Sequence, residues 1–118
     1  MSNFDRSREK DVRILHIRSG RKGGTQAYTI AVLKNKDGSY YTEYAICGER
    51  DQFSKKIGRM IATGRVLKWA STYPGVAVNR QYLLDDLKYI HRKMRAQFNE
   101  KAVEVFLDGP KEKLREAA

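Results

Sequence analysis

Residues 26–47 read Gln26-Ala-Tyr-Thr-Ile-Ala-Val-Leu-Lys-Asn-Lys-Asp-Gly-Ser-Tyr-Tyr-Thr-Glu-Tyr-Ala-Ile-Cys47, and the alternation within them decides the fold. From Gln26 to Lys34, Tyr28, Ile30 and Val32 fall on one face and Ala27, Thr29 and Ala31 on the other, which is the period of two of a strand. Asn35-Lys36-Asp37-Gly38 is a hairpin signal, because Asp and Gly favour the positive-φ closure of a type I turn with a bulge. From Ser39 to Cys47 the alternation resumes, with Tyr40, Thr42, Tyr44 and Ile46 on one face. A bulged register sets Tyr40 beside Val32, Thr42 beside Ile30 and Tyr44 beside Tyr28. With Tyr40, Tyr41 and Tyr44 in one strand, aromatic rings must emerge on both faces. Tyr41 is expected on the less buried one, where it can stack on an unpaired base for about 1–3 kcal/mol.

Upstream, Val12 to Arg18 is rich in β-branched residues and reads as a further strand, which completes a three-stranded antiparallel meander. Between the two lies Ser19-Gly-Arg-Lys-Gly-Gly-Thr25, a long glycine-rich turn with Arg21 and Lys22 at its tip. It lacks the Gly-x-x-x-x-Gly-Lys-Ser/Thr spacing of a phosphate loop, and no helix follows it. The reading it supports is a flexible basic loop that reaches a nucleic-acid backbone. Residues 1–10 are mostly charged or polar and read as a flexible basic arm.

Downstream, Asp51 to Trp69 carries a helix signal. Asp51 is the expected N-cap and Gly64 the expected residue just past the end. Phe53, Ile57, Met60 and Ile61 recur at helical spacing as the expected buried stripe, while Lys55, Lys56 and Arg59 project elsewhere. Pro74-Gly75 interrupts the chain, and Asn79 opens a second helix whose stripe is Leu83, Leu87, Ile90, Met94 and Phe98, with Lys88, Arg92 and Arg95 on another side. Val103, Val105, Phe106 and Leu107 read as a last helical turn or a short edge strand. The expected architecture is α+β, a three-stranded antiparallel β-meander packed against two amphipathic helices in the order β-β-β-α-α. The expected domain spans residues 11–107, followed by a charged tail over 108–118.

The chain has 118 residues, 41% of them hydrophobic, enough for one domain with a modest core. Its formal charge is +10 and the excess is central: residues 51–98 hold 10 basic against 3 acidic side chains, whereas residues 99–118 hold 4 against 5. Nucleic acid is the commonest partner for such a surface. A single cysteine, Cys47, cannot pair within the chain and reads as a small core residue. No apolar run suggests a membrane span or a secretory signal, so the expected location is cytoplasmic.

The groups available for acid–base chemistry are His16, His91, Glu43, Asp85 and Asp86, and none has the spacing of a catalytic or metal motif. His16 and His91 read as structural. Asp85-Asp86 is the one pair that would suit the magnesium of a nuclease, although carboxylates near a helix start also stabilise its dipole. The sequence therefore points to a non-enzymatic protein with no catalytic residues, no metal and no cofactor.

A hairpin followed by a basic helix is similar in outline to small sheet-plus-helix DNA-binding modules, such as the amino-terminal domains of some phage and transposon integrases. That resemblance implies a three-stranded sheet that enters the major groove. The size and charge also resemble small accessory proteins of phages and mobile elements, some of which block host defence enzymes. The expected function is a small basic nucleic-acid-binding protein for DNA or RNA, acting mainly on phosphates. Its candidate contacts are Arg18, Arg21, Lys22, Tyr41, Lys55, Lys56, Arg59, Arg65, Lys68, Lys88, Arg92 and Arg95. Few Asn and Gln can read adenine edges and no helix-turn-helix pattern is present, so binding is expected to tolerate sequence. The alternatives are a non-enzymatic inhibitor or adaptor that binds a host nucleic-acid-processing protein and, third, a metal-dependent nuclease.

Overall fold

A computed structural model of the protein describes residues 6–19, 26–48 and 54–109. Strands β1 (Arg13–Arg18), β2 (Ala27–Lys34) and β3 (Tyr40–Cys47) form one antiparallel sheet in the order β1-β2-β3, and helices α1 (Lys55–Thr72), α2 (Arg80–Lys93) and α3 (Glu100–Asp108) pack on it. The α+β class and the meander are those the alternation predicted, with a third helix at the position left between helix and strand. Ahead of β1, residues 9–11 form a 3-10 helix, and the Arg8 guanidinium donates to the Lys34 carbonyl and to Asn35 Oδ1, both at 3.1 Å.

The β2–β3 hairpin is centred one residue later than expected. Asn35 N–H bonds the Ser39 carbonyl at 2.8 Å, Gly38 N–H bonds the Asn35 carbonyl at 3.0 Å, and Gly38 takes a φ of 88°. Gly38 thus sits in the loop as its left-handed residue and does not open the strand. Every pair moves by two: Tyr40 faces Lys34, Thr42 faces Val32, Tyr44 faces Ile30 and Ile46 faces Tyr28. A slip of two keeps each side chain on its expected face, whereas a slip of one would have turned all of them over.

Both faces of the sheet are covered, so the face expected to be the less buried one is buried as well. β2 is buried at every residue from Ala27 to Leu33. On one face Tyr28, Ile30 and Val32 join Leu83, Leu87, Ile90 and Met94 and, from α3, Val103, Phe106 and Leu107. On the other, Ala31, Leu33, Tyr41 and Ala45 join Ala62, Val66 and Leu67 of α1. The chain passes from one layer to the other around the β3 edge. It turns at Pro74-Gly75, with Gly75 at φ 95°, and Val78 then exchanges two backbone hydrogen bonds with Tyr40, each 2.8 Å. A sheet covered on both faces has none to lay in a major groove, so the integrase-type docking does not carry over.

In α1 three expectations are corrected. Its N-cap is Ser54, whose hydroxyl accepts from Ile57 N–H at 3.3 Å; Asp51 and Phe53 lie outside the described residues. The helix runs through Gly64 to Thr72, because one glycine costs only about 1 kcal/mol and the turns beyond it bury Val66 and Leu67. The buried stripe is also a different one: Gly58, Ala62, Val66 and their neighbours face the sheet, and Ile57, Met60 and Ile61 are 54%, 64% and 37% exposed. The reason is steric. The α1-facing residues of β2 and β3 include Ala27, Thr29, Ala31 and Ala45, and so thin a surface is closed by a helix that approaches near. A Cβ added to Gly58 would lie 2.4 Å from Thr29 Oγ1.

α2 begins as expected, with Asn79 Oδ1 accepting from Tyr82 N–H at 2.8 Å, but it stops at Lys93, short of Phe98. Arg95 takes a φ of 52°, Ala96 N–H bonds the His91 carbonyl at 2.9 Å and Arg95 N–H bonds the Arg92 carbonyl at 3.1 Å, the paired bonds of a Schellman end. Phe98 then folds back edge-on to His91, with ring centroids 5.3 Å apart. At the end of α3, Arg13 of β1 donates to the carbonyls of Phe106 (3.0 Å) and Gly109 (2.6 Å) and places a cation at the negative helix end. Asp108 joins Arg80 in a two-pronged pair of 2.7 and 3.0 Å, and the Arg80 guanidinium beside it holds its carboxyl below the usual range.

Candidate nucleic-acid interface

The structure separates the charges that the sequence runs together. α1 carries Lys55, Lys56, Arg59, Arg65 and Lys68 and no acidic residue. α2 holds four bases against Asp85 and Asp86, and α3 one base against three acids, so the two helices of the opposite layer cancel. Lys55 and Lys56 occupy the first turn of α1, where the helix dipole is positive and where the helix itself places no acidic residue. Cations there cost about 0.3–1 kcal/mol each. Residues that break a local rule at a stability cost are where function is to be sought.

Arg18 ends β1 in an exposed position, two residues after His16 and on the same side of the sheet. Lys55, Lys56, Arg59, Arg65 and Lys68 are also exposed, so six of the predicted contacts share the α1 layer. Lys56, Arg59 and Lys68 make no hydrogen bond or ion pair among the described residues, whereas Arg65 Nη1 donates to the Tyr44 carbonyl at 2.7 Å and is held across β3. Lys88, Arg92 and Arg95 belong to the opposite layer, where Lys88 Nζ lies 5.7 Å from the Phe98 ring centre. Arg21 and Lys22 lie outside the described residues. Tyr41 is removed from the surface altogether: α1 covers it to 6% exposure, and its hydroxyl donates to the Tyr73 carbonyl (3.3 Å) and accepts from Gly75 N–H (3.0 Å).

Beneath the cationic end of α1, His16 Nδ1 and Thr29 Oγ1 share a hydrogen bond of 2.9 Å. Burial and then the charges of Lys55 and Arg59 lower the His16 pKa from 6.5 to about 4. The ring is therefore neutral at physiological pH, and the positive field at this end belongs to the lysines and arginines alone.

At the other end of α1 an open groove of about 240 Å³ is lined by Glu43, Arg65, Lys68, Trp69, Thr72 and Tyr73. Trp69 and Tyr73, one turn apart, stack at a slant with centroids 4.5 Å apart. Neither belongs to a core. Sequence reasoning missed this pair because the helix was expected to end at Gly64; carried to Thr72, the spacing of four between the two aromatic residues would have shown it. It also missed the outward ridge of Ile57, Met60 and Ile61, taken for core.

The carboxylates considered for magnesium are engaged with neighbours: Asp86 accepts from the Tyr44 hydroxyl, and Asp85 accepts from the Gln81 amide at 2.9 Å. Among the described residues no three His, Cys, Asp or Glu side chains converge as a metal site. Cys47 is partly exposed at the end of β3, which corrects its placement in the core. No helix among the described residues is long and apolar enough to cross a membrane.

The fold and this surface define a small α+β domain with one cationic helix layered on a sheet that is covered on both faces. Comparison with known protein families, with curated proteins and with solved structures gave no match, so function is read from the chemistry of the surface itself.

Proposed function

We propose that the protein binds nucleic acid through the α1 face, chiefly by phosphate contacts from Lys55, Lys56, Arg59, Arg65 and Lys68. The observation that carries this reading is a helix with five cations and no acid, two of those cations set against its own dipole. Arg18 extends the surface from β1. With about five phosphates neutralised on duplex DNA, log K should fall against log salt with a slope of about −4 to −5. Changing Lys55, Lys56 and Arg59 together to Gln should make that slope shallower by about 0.9 for each lost contact. The charge-matched control is Lys88, Arg92 and Arg95 to Gln on the opposite layer, which should leave it almost unchanged. Equal loss from both triples would reduce the effect to net charge, and affinity indifferent to salt would remove the reading.

The ridge of Ile57, Met60 and Ile61 supports a second reading, a non-enzymatic inhibitor or adaptor, carried by a phage or mobile element, that docks on a host nucleic-acid-processing protein. Exposed apolar side chains rimmed by charge suit a protein contact better than a phosphate backbone. Replacing Ile57 and Met60 by Ser separates the two readings: it should spare nucleic-acid binding and abolish capture of such a partner from nuclease-treated lysate.

A further inference from the structure

Phosphate contacts do not distinguish paired from unpaired strands, whereas a groove walled by exposed aromatic rings offers a means to. Trp69 and Tyr73 are 37% and 47% exposed, although large rings on a helix that packs a sheet would ordinarily be drawn into its core. Val66 and Leu67 take the core positions here, and the two rings are left as one wall of a groove. Arg65 and Lys68 stand on the same helix beside them, and the bond from Arg65 to the Tyr44 carbonyl fixes its guanidinium over the groove's β3 side. At about 240 Å³ the space falls below the roughly 300–1,000 Å³ of sites for drug-sized ligands, a scale that suits a single flat ring system. Glu43 adds the one carboxylate. It repels phosphate from that wall and accepts a hydrogen bond from a ring N–H or an exocyclic amine, so the arrangement separates a base site from the phosphate sites on Arg65 and Lys68.

We infer that this groove takes one unpaired base, stacked on Trp69 and Tyr73 with its donor edge toward Glu43, so that the protein prefers single-stranded or locally opened nucleic acid to duplex. In a duplex the base faces are occupied by their neighbours and cannot reach the rings. Stacking tolerates any base, because each has a π-face, in keeping with the few groups here that could read sequence. The inference rests on the nucleic-acid reading of α1, and its test separates the failure of one from the failure of the other.

Trp69 is the chain's only tryptophan, so its emission reports on the groove alone. The protein is titrated at low salt with oligothymidylate, with oligouridylate and with a mixed-sequence duplex of equal length, following Trp emission and, with end-labelled strands, anisotropy. A single strand, deoxy or ribo, should quench Trp69 and bind about tenfold or more tighter than duplex, while the duplex leaves the emission unchanged. Tyr73→Leu and Trp69→Leu keep apolar bulk and remove the ring faces. The Tyr73 carbonyl that holds Tyr41 survives the first change, and unaltered melting of both variants confirms the fold. Each should lose most of the single-strand preference and keep duplex affinity. Single strands that bind without quenching, or variants that weaken both forms equally, would overturn base capture and leave phosphate binding standing. Absence of binding by any of the three probes would overturn the nucleic-acid reading itself.

Discussion

Gly58 of α1 lies so close to Thr29 of β2 that a methyl group on its Cα would stand 2.4 Å from the threonine hydroxyl and 3.1 Å from its Cβ. Thr29 cannot rotate away cheaply, because it is buried and its hydroxyl is tied to His16. The approach fixes the distance of α1 from the sheet and, through it, the turn of the helix that faces outward.

Two glycines on one helix should therefore respond in opposite ways. At Gly64 an added Cβ meets nothing within 4 Å. Gly64→Ala should stabilise the fold by about 0.5–1 kcal/mol through helix propensity. Gly58→Ala gains the same propensity but overpacks the interface at a cost of about 1–3 kcal/mol, for a net destabilisation of about 1 kcal/mol at the middle of these ranges. Urea melts of the two variants measure this difference, and the same sign at both sites would contradict the close approach.

The parts of the fold that large side chains decide were legible in the sequence. Leu83, Leu87, Ile90 and Met94 mark the buried face of α2 by size and spacing together, and the strands follow from alternation. α1 was misread because its sheet-facing residues are small: Gly58, Ala62 and Thr63 carry little hydrophobic signal, and Ile57, Met60 and Ile61 outweigh them in any count of apolar residues. A pointer to the second layer was nevertheless present. β2 alternates Tyr28, Ile30 and Val32 with Ala27, Ala31 and Leu33, apolar on both faces, which is the pattern of a strand covered on both sides. The same pattern would have placed Tyr41 inside. The hairpin centre was missed by one residue because Asp37-Gly38 is compatible with either loop, and only the closing bonds of Asn35 and Ser39 choose between them.

His16 should make stability depend on pH in a window that lies mostly above that of the carboxylates. The unfolded chain takes up the imidazole proton near pH 6.5, whereas in the fold the pKa is about 4. Falling pH therefore favours the unfolded state between those values, so stability rises with pH across the window and is flat in this respect above it. The ring is only partly buried, so the loss should be smaller than the full shift implies. Thermal melts from pH 7 to 4.5 should show a falling midpoint in the wild type and a nearly constant one in His16→Gln. Asp108, whose carboxyl is held below 3.8, loses its contribution only at lower pH.

Arg95 adopts the left-handed conformation that closes α2, a position glycine fills without strain. Arg95→Gly should stabilise the domain by about 1 kcal/mol, since an L side chain pays roughly 1–2 kcal/mol there and glycine recovers most of it. Because the residue lies in the layer opposite α1, nucleic-acid affinity should hardly change. A destabilised variant in chemical denaturation would show that the Arg95 side chain contributes more than its backbone costs.

The first turn of α1 offers a change in which stability and binding should move in opposite directions. Lys56 is exposed and faces the positive end of the helix dipole without a described partner. Lys56→Glu replaces an unfavourable charge with a favourable one and should raise stability by about 0.5–1 kcal/mol, more at low ionic strength than at high. The same change puts a negative charge where the proposed phosphate contact lies, so affinity should fall and the salt slope become shallower by about 0.9 or more. Lys68→Glu is the matched control: it lies farther along the helix, clear of the first and last turns where the dipole acts, so its stability should stay within about 0.5 kcal/mol while affinity also falls. A Lys56→Glu variant that is both more stable and equally tight in binding would show that the N-terminal cations of α1 serve no nucleic-acid contact. One that is less stable would show that Lys56 has a structural role that outweighs the dipole.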